Sequence, residues 1–465
     1  MLLEIFDSYR KYFTDDPSCW NKKYKWFKLI HVCRRWRRVV FASFTRLDLC
    51  LFVQDRNPGN MKTIFSPRLP QLPIVINYGY GMASHAKTKE LGRILAALKR
   101  CDRVRGISFS GVPSDFDKLI KATKCLFPIL EDLQLCDEHC DMDLELPATF
   151  LRGSAPHLRR LKLDRISLTS ISSLLSSSKM LVELSLTTYT LYPTALLLAH
   201  LRGMPCLCRL ELNRTGIPTS TDDLIPSTNP GDIFLLSKLT SFHYLGRSSF
   251  LNALVAGFAA PYLEDVQIKL HNDTKPPILH ISRFINDIEK PYHSAQVIFE
   301  DDYFSISLLT QANPDDYITP PFRFSSACTT ESIMRMSATL FGKLAIVEEL
   351  LIVFTVNSYQ PWLHDTTSWH SFLQHFRSVK VLRVEHENIA KIAGTLLPDQ
   401  PAHGCFPMLK EIEIRMRWGI SPTESLRAAA AIQPFIDAYQ EACRPVQFSG
   451  SRRQFPAPRL HLLFR

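Results

Sequence analysis

The stretch Leu130-Glu131-Asp132-Leu133-Gln134-Leu135 holds leucine at its first, fourth and sixth positions. Three further stretches repeat this L-x-x-L-x-L pattern with leucine alone, starting at Leu158, Leu181 and Leu207, and successive copies lie 28, 23 and 26 residues apart. Six looser copies use other apolar residues, and they start at Val104, Leu239, Leu263, Val347, Val379 and Leu409. The recurrence of one pattern at such spacing indicates an internal repeat.

Each copy has the features of a short strand that follows a loop. Alternate residues of a strand point to opposite faces, so the fourth and sixth positions share one face, which their apolar side chains would bury. Proline has a fixed φ and no N–H, which suits a loop residue just before a strand. Proline stands two residues before the first apolar position in five copies, at Pro128, Pro156, Pro205, Pro261 and Pro407.

Apolar residues at helical spacing occupy the segments between the copies, and we predict helices at 166–178, 193–202, 250–259 and 388–397. Another helix is predicted at Ser421-Pro422-Thr423-Glu424, which supplies an N-cap, a first-turn proline and a capping-box glutamate. The unit is therefore strand, loop and helix. Copies lie roughly 23–32 residues apart, a period that indicates leucine-rich repeats.

These patterns predict an α/β fold with three parts. Residues 1–45 form a small helical module, and residues 46–440 form an irregular leucine-rich-repeat solenoid with parallel strands on the concave face and helices outside. Residues 441–465 form a C-terminal tail or a terminal strand. The low glycine content, 17 of 465 residues, argues against glycine-rich phosphate loops and β-propellers.

The repeat is predicted to be interrupted around residues 270–330. The gap between the copies at Leu263 and Val347 has room for two more degenerate units. We predict strands there at Val297–Phe299 and Tyr303–Leu309, followed by a proline-containing loop at 313–322.

Side chains between the buried positions of each strand are predicted to point outward. They make a long polar face of mixed charge, and concave repeat faces of this kind bind extended partners. Position by position, a merely solvated sheet face remains the more common explanation for such residues. The candidate partner-binding residues are Arg160, Lys162, Asp164, Arg209, Glu211, Asn213, Asp265, Lys269, Arg383, Glu385, Glu413 and Arg415.

Residues 1–45 do not follow the repeat. Apolar residues recur there at helical spacing, with lysine and arginine on the opposite side, and the main set is Trp26, Leu29, Val32, Cys33, Trp36 and Val40. An earlier helical face carries Leu2, Leu3, Ile5, Phe6 and Tyr9. A segment this short cannot form a robust core alone, so we expect it to dock on the repeats or on a partner.

The string Val32-Cys33-Arg34-Arg35-Trp36-Arg37, preceded by Trp26 and Leu29, resembles the second half of an F-box. The form is similar to that of F-box/leucine-rich-repeat proteins of mushroom-forming (basidiomycete) fungi, and Leu2–Phe6 resembles the first F-box helix. The resemblance implies a non-catalytic substrate receptor of a Skp–cullin–F-box ubiquitin ligase, which would bind an unknown protein substrate through its repeats. The implied adaptor-binding residues are Leu3, Ile5, Phe6, Leu29, Val32, Cys33 and Trp36.

One departure from the F-box pattern keeps an alternative open. The family's motif opens with Leu-Pro and an acidic residue just before the position of Leu2, and this sequence begins at Met1. The alternative is a non-catalytic leucine-rich-repeat scaffold with a degenerate F-box and no ligase role.

Other classes of protein receive little support. No apolar run reaches 18 residues, and the N-terminus lacks the features of a secretory signal, so we expect a cytoplasmic or nuclear protein without a membrane partner. The net charge is +10, but residues 1–50 carry 11 Lys/Arg against 5 Asp/Glu, or +6 of it. These arginines fit the polar side of an amphipathic helix, and nucleic acid is not expected as a partner.

No cofactor or catalytic centre is predicted. Cys136-x-x-His139-Cys140 and Cys206-x-Cys208 hint at metal, but neither has the second ligand pair that a structural zinc site needs. The histidines at 364, 370 and 375, with Asp365, have no nucleophile or paired carboxylate motif nearby. We therefore expect the protein to act by binding and not by chemistry.

Overall fold

The structure is a computed structural model, and it describes most of the repeat region together with parts of the N-terminal segment. The described residues are 2–6, 8, 27–43, 47, 49–54, 72–79, 87–138, 142–189, 193–214, 233–271, 279–300, 303–310, 320–327, 329–354, 366–385, 406–415, 430, 433–434, 437 and 447–451. Within these residues, no helix is both long enough and apolar enough to cross a membrane.

The chain divides into two compact units. The first contains Met1–Leu210 and Arg214–Thr219, and the second contains Glu211–Asn213 and Ser220–Arg465. The dividing point lies inside one strand of the repeat. The domain boundaries predicted at residues 45 and 440 stay predictions.

The first unit contains parallel strands that pair in the order in which they occur along the chain. A further strand, β7 (Arg209–Arg214), contains the point at which the two units divide. The paired strands are β1 (Leu51–Gln54), β2 (Ile74–Tyr78), β3 (Val104–Gly111), β4 (Asp132–Asp137), β5 (Arg160–Asp164) and β6 (Glu183–Thr188).

Helices of the first unit lie between these strands and at the N-terminus. Residues 2–6 are helical. The helices that follow are α1 (Phe27–Val32), α2 (Arg34–Ala42), α3 (Lys87–Leu98), α4 (Pro113–Ala122), α5 (Ser172–Ser177) and α6 (Thr194–Arg202). Helix α3 packs on β1 and β2.

The second unit contains the strands β9 (Ser241–Gly246), β11 (Asp265–Leu270), β12 (Ser294–Phe299), β13 (Tyr303–Leu309), β14 (Phe322–Ala327), β15 (Glu349–Phe354), β16 (Val381–Glu385), β17 (Glu411–Arg415) and β18 (Gln447–Ser451). They lie side by side in the order β9, β11, β14, β13, β12, β15, β16, β17 and β18. A separate parallel pair consists of β8 (Phe234–Leu235) and β10 (Phe258–Ala259).

Helices of the second unit again alternate with strands. They are α7 (Ser248–Val255), α8 (Leu279–Asn286), α9 (Thr330–Thr339), α10 (Phe341–Leu344) and α11 (Thr366–Leu373). Helix α7 packs on β9, and α9 packs on β14. The strand–helix alternation and the dominance of parallel pairing confirm the predicted α/β, leucine-rich-repeat-like architecture.

All ten strands predicted from the L-x-x-L-x-L copies are present, and the four pure-leucine copies belong to β4, β5, β6 and β7. Each of their twelve leucines is at most 1% exposed. Burying a leucine side chain contributes roughly 1.5–3 kcal/mol, so these rows supply a large part of the driving force for folding. The sequence does not predict β1, β2, β14 or the pair β8 and β10.

The interrupted region contains one strand that departs from the predicted parallel arrangement. The strands predicted at Val297–Phe299 and Tyr303–Leu309 are present within β12 and β13, but β13 runs antiparallel to both of its neighbours, β12 and β14. Only three residues separate Phe299 from Tyr303, and the N–H of Glu300 donates to the carbonyl of Tyr303 at 2.8 Å. A parallel crossover needs a dozen or more residues, so this connection can only make a hairpin.

Several finer predictions are also corrected. The sequence predicts a loop at 313–322, but Phe322 begins β14 and is fully buried. Residues 313–319 of that loop lie outside the described residues. The predicted helix at 166–178 is shorter, since a 3-10 turn at Thr169–Ile171 precedes α5. Residues 258–259 of another predicted helix form β10. The predicted helices at 388–397 and from Ser421 lie outside the described residues.

Leu161→Ala tests whether the buried leucine rows carry the stability of the first unit. Leu161 pairs in register between Leu133 and Leu184 and is 1% exposed. We expect a loss of about 2–5 kcal/mol, seen as a lower urea midpoint by circular dichroism. The matched control is Lys162→Ala on the exposed side of β5, with an expected change within about 0.5 kcal/mol. Equal midpoints for the two variants would contradict the assignment.

Candidate partner-binding surfaces

The outward face of the first unit carries charges that alternate from strand to strand. Asp132, Arg160 and Glu183 lie side by side on β4, β5 and β6. Arg160 Nη2 lies 2.9 Å from Asp132 Oδ2, and Arg209 Nη1 lies 3.8 Å from Glu183 Oε1. The predicted partner-binding residues Arg160 and Arg209 are thus already paired with carboxylates of neighbouring strands.

The next outward row of the same face is polar and contains a single charged side chain. Gln134, Lys162 and Ser185 lie in register across β4, β5 and β6. Lys162 is exposed, and within the described part of the chain no carboxylate oxygen lies within 4 Å of its ammonium group. Lys162 is therefore the predicted partner-binding residue of this unit that is best placed to meet a partner.

A third outward row contains Cys136 and Asp164. The Cys136 thiol donates to Asp164 Oδ2 at 3.3 Å, and Arg165 Nε lies 3.5 Å from the other oxygen of that carboxylate. Burial, with a smaller effect of the Asp164 charge, raises the pKa of the Cys136 thiol to about 11. The thiol therefore stays protonated at neutral pH and is a poor nucleophile or metal ligand.

The cysteine and histidine string at 136–140 is only partly described. His139 and Cys140 of the Cys136-x-x-His139-Cys140 string lie outside the described residues. Among the residues that are described, no group of three His, Cys, Asp or Glu side chains is arranged to hold a metal ion.

In the second unit, Asp265 on β11 is held by side chains of β9. Its Oδ2 lies 2.6 Å from His243 Nε2 and accepts from the Ser241 hydroxyl at 3.0 Å, and Gln267 donates to Oδ1 at 3.4 Å. Burial alone would raise the pKa of Asp265, but the hydrogen bonds from His243 and Ser241 outweigh it and lower the pKa.

The trio of Ser241, His243 and Asp265 resembles a hydrolase triad in composition only. In a working triad the histidine takes the serine proton while the carboxylate holds the other ring nitrogen. Here the serine hydroxyl and the histidine ring nitrogen both contact the same oxygen of Asp265. His243 Nε2 also lies 3.5 Å from the Ser241 hydroxyl, so one ring nitrogen contacts both neighbours, whereas a triad uses the two ring nitrogens separately.

Arg383 on β16 lies between two carboxylates on the outward face. Its Nε donates to Glu413 Oε2 at 2.7 Å, and its Nη1 pairs with Glu349. The three side chains are only 16%, 15% and 18% exposed. Burial disfavours the charged guanidinium, but the hydrogen bonds to the two glutamates outweigh it and raise the pKa of Arg383. These predicted partner-binding residues form an internal ion triad across β15, β16 and β17.

The remaining predicted partner-binding residues of the second unit differ in their contacts and in their exposure. Lys269 Nζ lies 4.2 Å above the ring of Tyr303, and Asn213 donates to Glu211 at 2.8 Å. Glu385 is half-buried on β16. Arg415 ends β17, and its side chain lies outside the described residues.

Sequence reasoning missed Arg323, an exposed cation on the outward face of β14. Its Nε donates to Ser307 Oγ at 3.4 Å on the antiparallel neighbour β13. Arg323 lies opposite Gln267 in register, so it belongs to the same face as the predicted residues. No L-x-x-L-x-L copy marks β14, and the alternation of Phe322 and Phe324 was the available signal.

At the N-terminus, the implied adaptor-binding residues divide into a buried and an exposed set. Phe6 and Leu29 are buried, and the ring of Phe6 meets the edge of Trp36 with centroids 4.9 Å apart. Val32 is 58% exposed and Ile5 is 47% exposed. Phe6, Leu29 and Trp36 therefore hold the segment together, whereas Val32 and Ile5 offer apolar surface.

Two further residues of that set are Leu3 and Cys33. Leu3 is half-buried on the helix at 2–6. The exposed Cys33 caps helix α2, where its sulfur accepts from the Trp36 N–H at 3.4 Å. The adaptor-binding role of all seven residues stays a prediction.

The histidine cluster suggested for the segment 362–375 is only partly described. His364 and Asp365 lie outside the described residues. His375 Nδ1 contacts the backbone carbonyl of Phe372 at 3.0 Å, and its ring packs against Phe341. These contacts are those of a helix-end side chain.

The chain shows little sequence similarity to known proteins. No family profile matches the chain, and no curated protein matches it. The leucine-rich repeat-containing protein LegL7 from Legionella pneumophila is similar at 11% identity, over 83% of this chain and 97% of that chain, with a TM-score of 0.27. The fold of this chain is established by its own strand register and by its buried leucines.

Arg383→Ala tests the ion triad. The variant leaves Glu349 and Glu413 close together without a cation, and we expect a loss of about 3–5 kcal/mol in unfolding free energy by urea denaturation. The control is Lys380→Ala, which breaks the more exposed pair with Glu348 at 2.6 Å and should lower the stability much less. A loss for Arg383→Ala no larger than for the control would contradict the burial of the triad.

Asp265→Asn tests whether the lowered pKa of Asp265 makes the free energy of unfolding depend on pH. Because the folded pKa lies below the unfolded value of about 3.9, the stabilisation is present above that value and is lost as pH falls through the folded pKa. The wild type should therefore exceed the variant in unfolding free energy at neutral pH, and the difference should shrink in acid. Urea denaturation across this pH range measures it, and a difference that stays constant would refute the linkage.

Proposed function

We propose that this chain is a non-catalytic substrate receptor of a Skp–cullin–F-box ubiquitin ligase. In this role the N-terminal helices bind the Skp-family adaptor, and the polar strand faces bind a protein substrate. The receptor raises the local concentration of substrate lysines near the ubiquitin-charged enzyme and performs no bond chemistry itself. Such a receptor would work in the cytoplasm or nucleus.

The observation that carries the proposal is the exposed apolar surface of the N-terminal segment. Val32 and Ile5 expose about half of their side chains, whereas nearby Phe6 and Leu29 are buried. Isolated exposed apolar residues are common, but here two of them belong to the set that the F-box resemblance implies. Their exposure leaves them available to an adaptor.

The strand faces support the substrate half of the proposal. Residues from several neighbouring strands present hydrogen-bonding groups in register, such as Gln134, Lys162 and Ser185. An extended segment of a partner can follow such a row from strand to strand. We assign substrate contact first to Lys162 and Arg323, which are exposed, and only secondarily to the paired charges.

Binding of a purified Skp-family adaptor by the full chain tests the proposal. Val32→Asp places a charge in the apolar surface, and we expect at least a tenfold weaker affinity by isothermal titration calorimetry, since 1.4 kcal/mol is a factor of about ten. Met142→Asp is the matched control, because Met142 is also apolar and 74% exposed but lies outside the N-terminal segment. It should bind like the wild type.

Two outcomes would contradict the proposal. The first is no adaptor binding by the wild-type chain, which would favour a repeat scaffold without a ligase role. The second is equal affinity for all three proteins, which would remove Val32 from the interface. Trp36→Ala is a poor probe, because its ring packs on Phe6 and its loss would disturb the segment itself.

A further inference from the structure

Five cationic or titratable side chains lie exposed on helices α1 and α2, and we call them the basic face. They are Lys28, His31, Arg34, Arg35 and Arg38. Arg37 is not included, because its Nε donates to the carbonyl of Ile30 at 2.9 Å. Within the described part of the chain, no carboxylate lies within ion-pair distance of any side chain of the basic face.

This lack of pairing contrasts with the sheet faces of both units. On the sheets, the arginines at 160, 209 and 383 each meet a carboxylate of a neighbouring strand. Among the described residues, these strand arginines form ion pairs, whereas Arg34, Arg35 and Arg38 of α2 do not. The basic face is therefore a distinct feature and not a general consequence of the net charge of +10.

The arginines of the basic face repel one another and the positive end of helix α2. Arg34 and Arg38 are four residues apart, and Arg35 and Arg38 are three apart, so like charges are neighbours on the helix surface. Arg34 and Arg35 also occupy the first turn of α2, which contains no acidic residue. Cations there oppose the positive end of the helix dipole. A negatively charged partner would relieve both repulsions.

The surroundings of the basic face favour a protein as that partner. Val32 on α1 and Ile5 on the helix at 2–6 expose apolar surface, and that helix contacts α2 through Phe6 and Trp36. Protein–protein interfaces combine apolar residues with arginine. Single-stranded nucleic acid is bound largely by bases stacking on exposed aromatic rings. Trp36 is only half-exposed and packs against Phe6, so it does not offer a free ring face.

We propose that the basic face binds an acidic surface of the same partner protein that covers Val32 and Ile5. This inference rests on the proposed function for the identity of that partner as the Skp-family adaptor. The five side chains of the basic face are exposed, and exposed charges act mainly on the rate of association. Contacts made by Val32 and Ile5 set the rate of dissociation.

The test measures association and dissociation rates of the full chain with the adaptor by stopped-flow fluorescence, at low and at high salt. The variant is Arg34→Gln with Arg35→Gln and Arg38→Gln. The control is Lys99→Gln with Lys121→Gln and Lys179→Gln, which removes the same charge from exposed lysines elsewhere in the first unit. The helix content of both is checked by circular dichroism.

We expect the arginine variant to associate at least about tenfold more slowly at low salt and to dissociate within about twofold of the wild-type rate. High salt should bring the three association rates together, because it screens the steering field. The lysine control should stay close to the wild type. An arginine variant that associates as fast as the lysine control would overturn the proposal.

A second measurement separates this inference from the proposed function. Fluorescence anisotropy follows binding of a labelled glutamate-rich peptide and of a labelled DNA duplex to the same proteins. If the adaptor does not bind at all, the ligase proposal fails, but weaker peptide binding by the arginine variant than by the control still supports the basic face. Equal peptide binding, or tighter binding of the duplex than of the peptide by the wild type, would overturn it.

Discussion

Backbone hydrogen bonds between parallel strands keep the buried leucine rows aligned, and the remaining features of the sheets depend on that register. Leu133, Leu161 and Leu184 lie side by side, each at most 1% exposed. A slip of one residue would turn the leucines outward and bury the charges. Arg160 meets Asp132 in this same register, so the ion pairs reinforce the alignment and are partly withdrawn from any partner.

The leucine pattern predicts strands well because it is local and because burial selects for it directly. The leucine pattern says nothing about the direction of β13, the strand predicted at Tyr303–Leu309, because the short link after Phe299 sets that direction. It fails at β1 and β2, whose residues carry no complete copy of the pattern. Helix ends were misjudged by several residues near Ser172 because 3-10 and α-helical turns have similar apolar spacing.

Candidate binding residues were predicted less well than strands. Alternation identifies the residues that point outward, but only the register tells which charges become neighbours. Arg383 illustrates this, since its two carboxylate partners come from strands 34 residues earlier and 30 residues later in the sequence. In the N-terminal segment, helical spacing placed Phe6 and Val32 in one apolar set, and only the packing of Phe6 against Trp36 separates the buried residue from the exposed one.

The antiparallel strand β13 has a consequence for how the second unit assembles. Parallel repeats can add to a sheet one after another as the chain emerges, each on the edge left by the last. Here the neighbour of β11 is β14, which comes after β12 and β13 in the chain. During synthesis, β11 and the β12–β13 hairpin must therefore wait with open edges until residues 322–327 appear, and later repeats can join the sheet only beyond that hairpin. Folding of this unit cannot proceed in simple chain order.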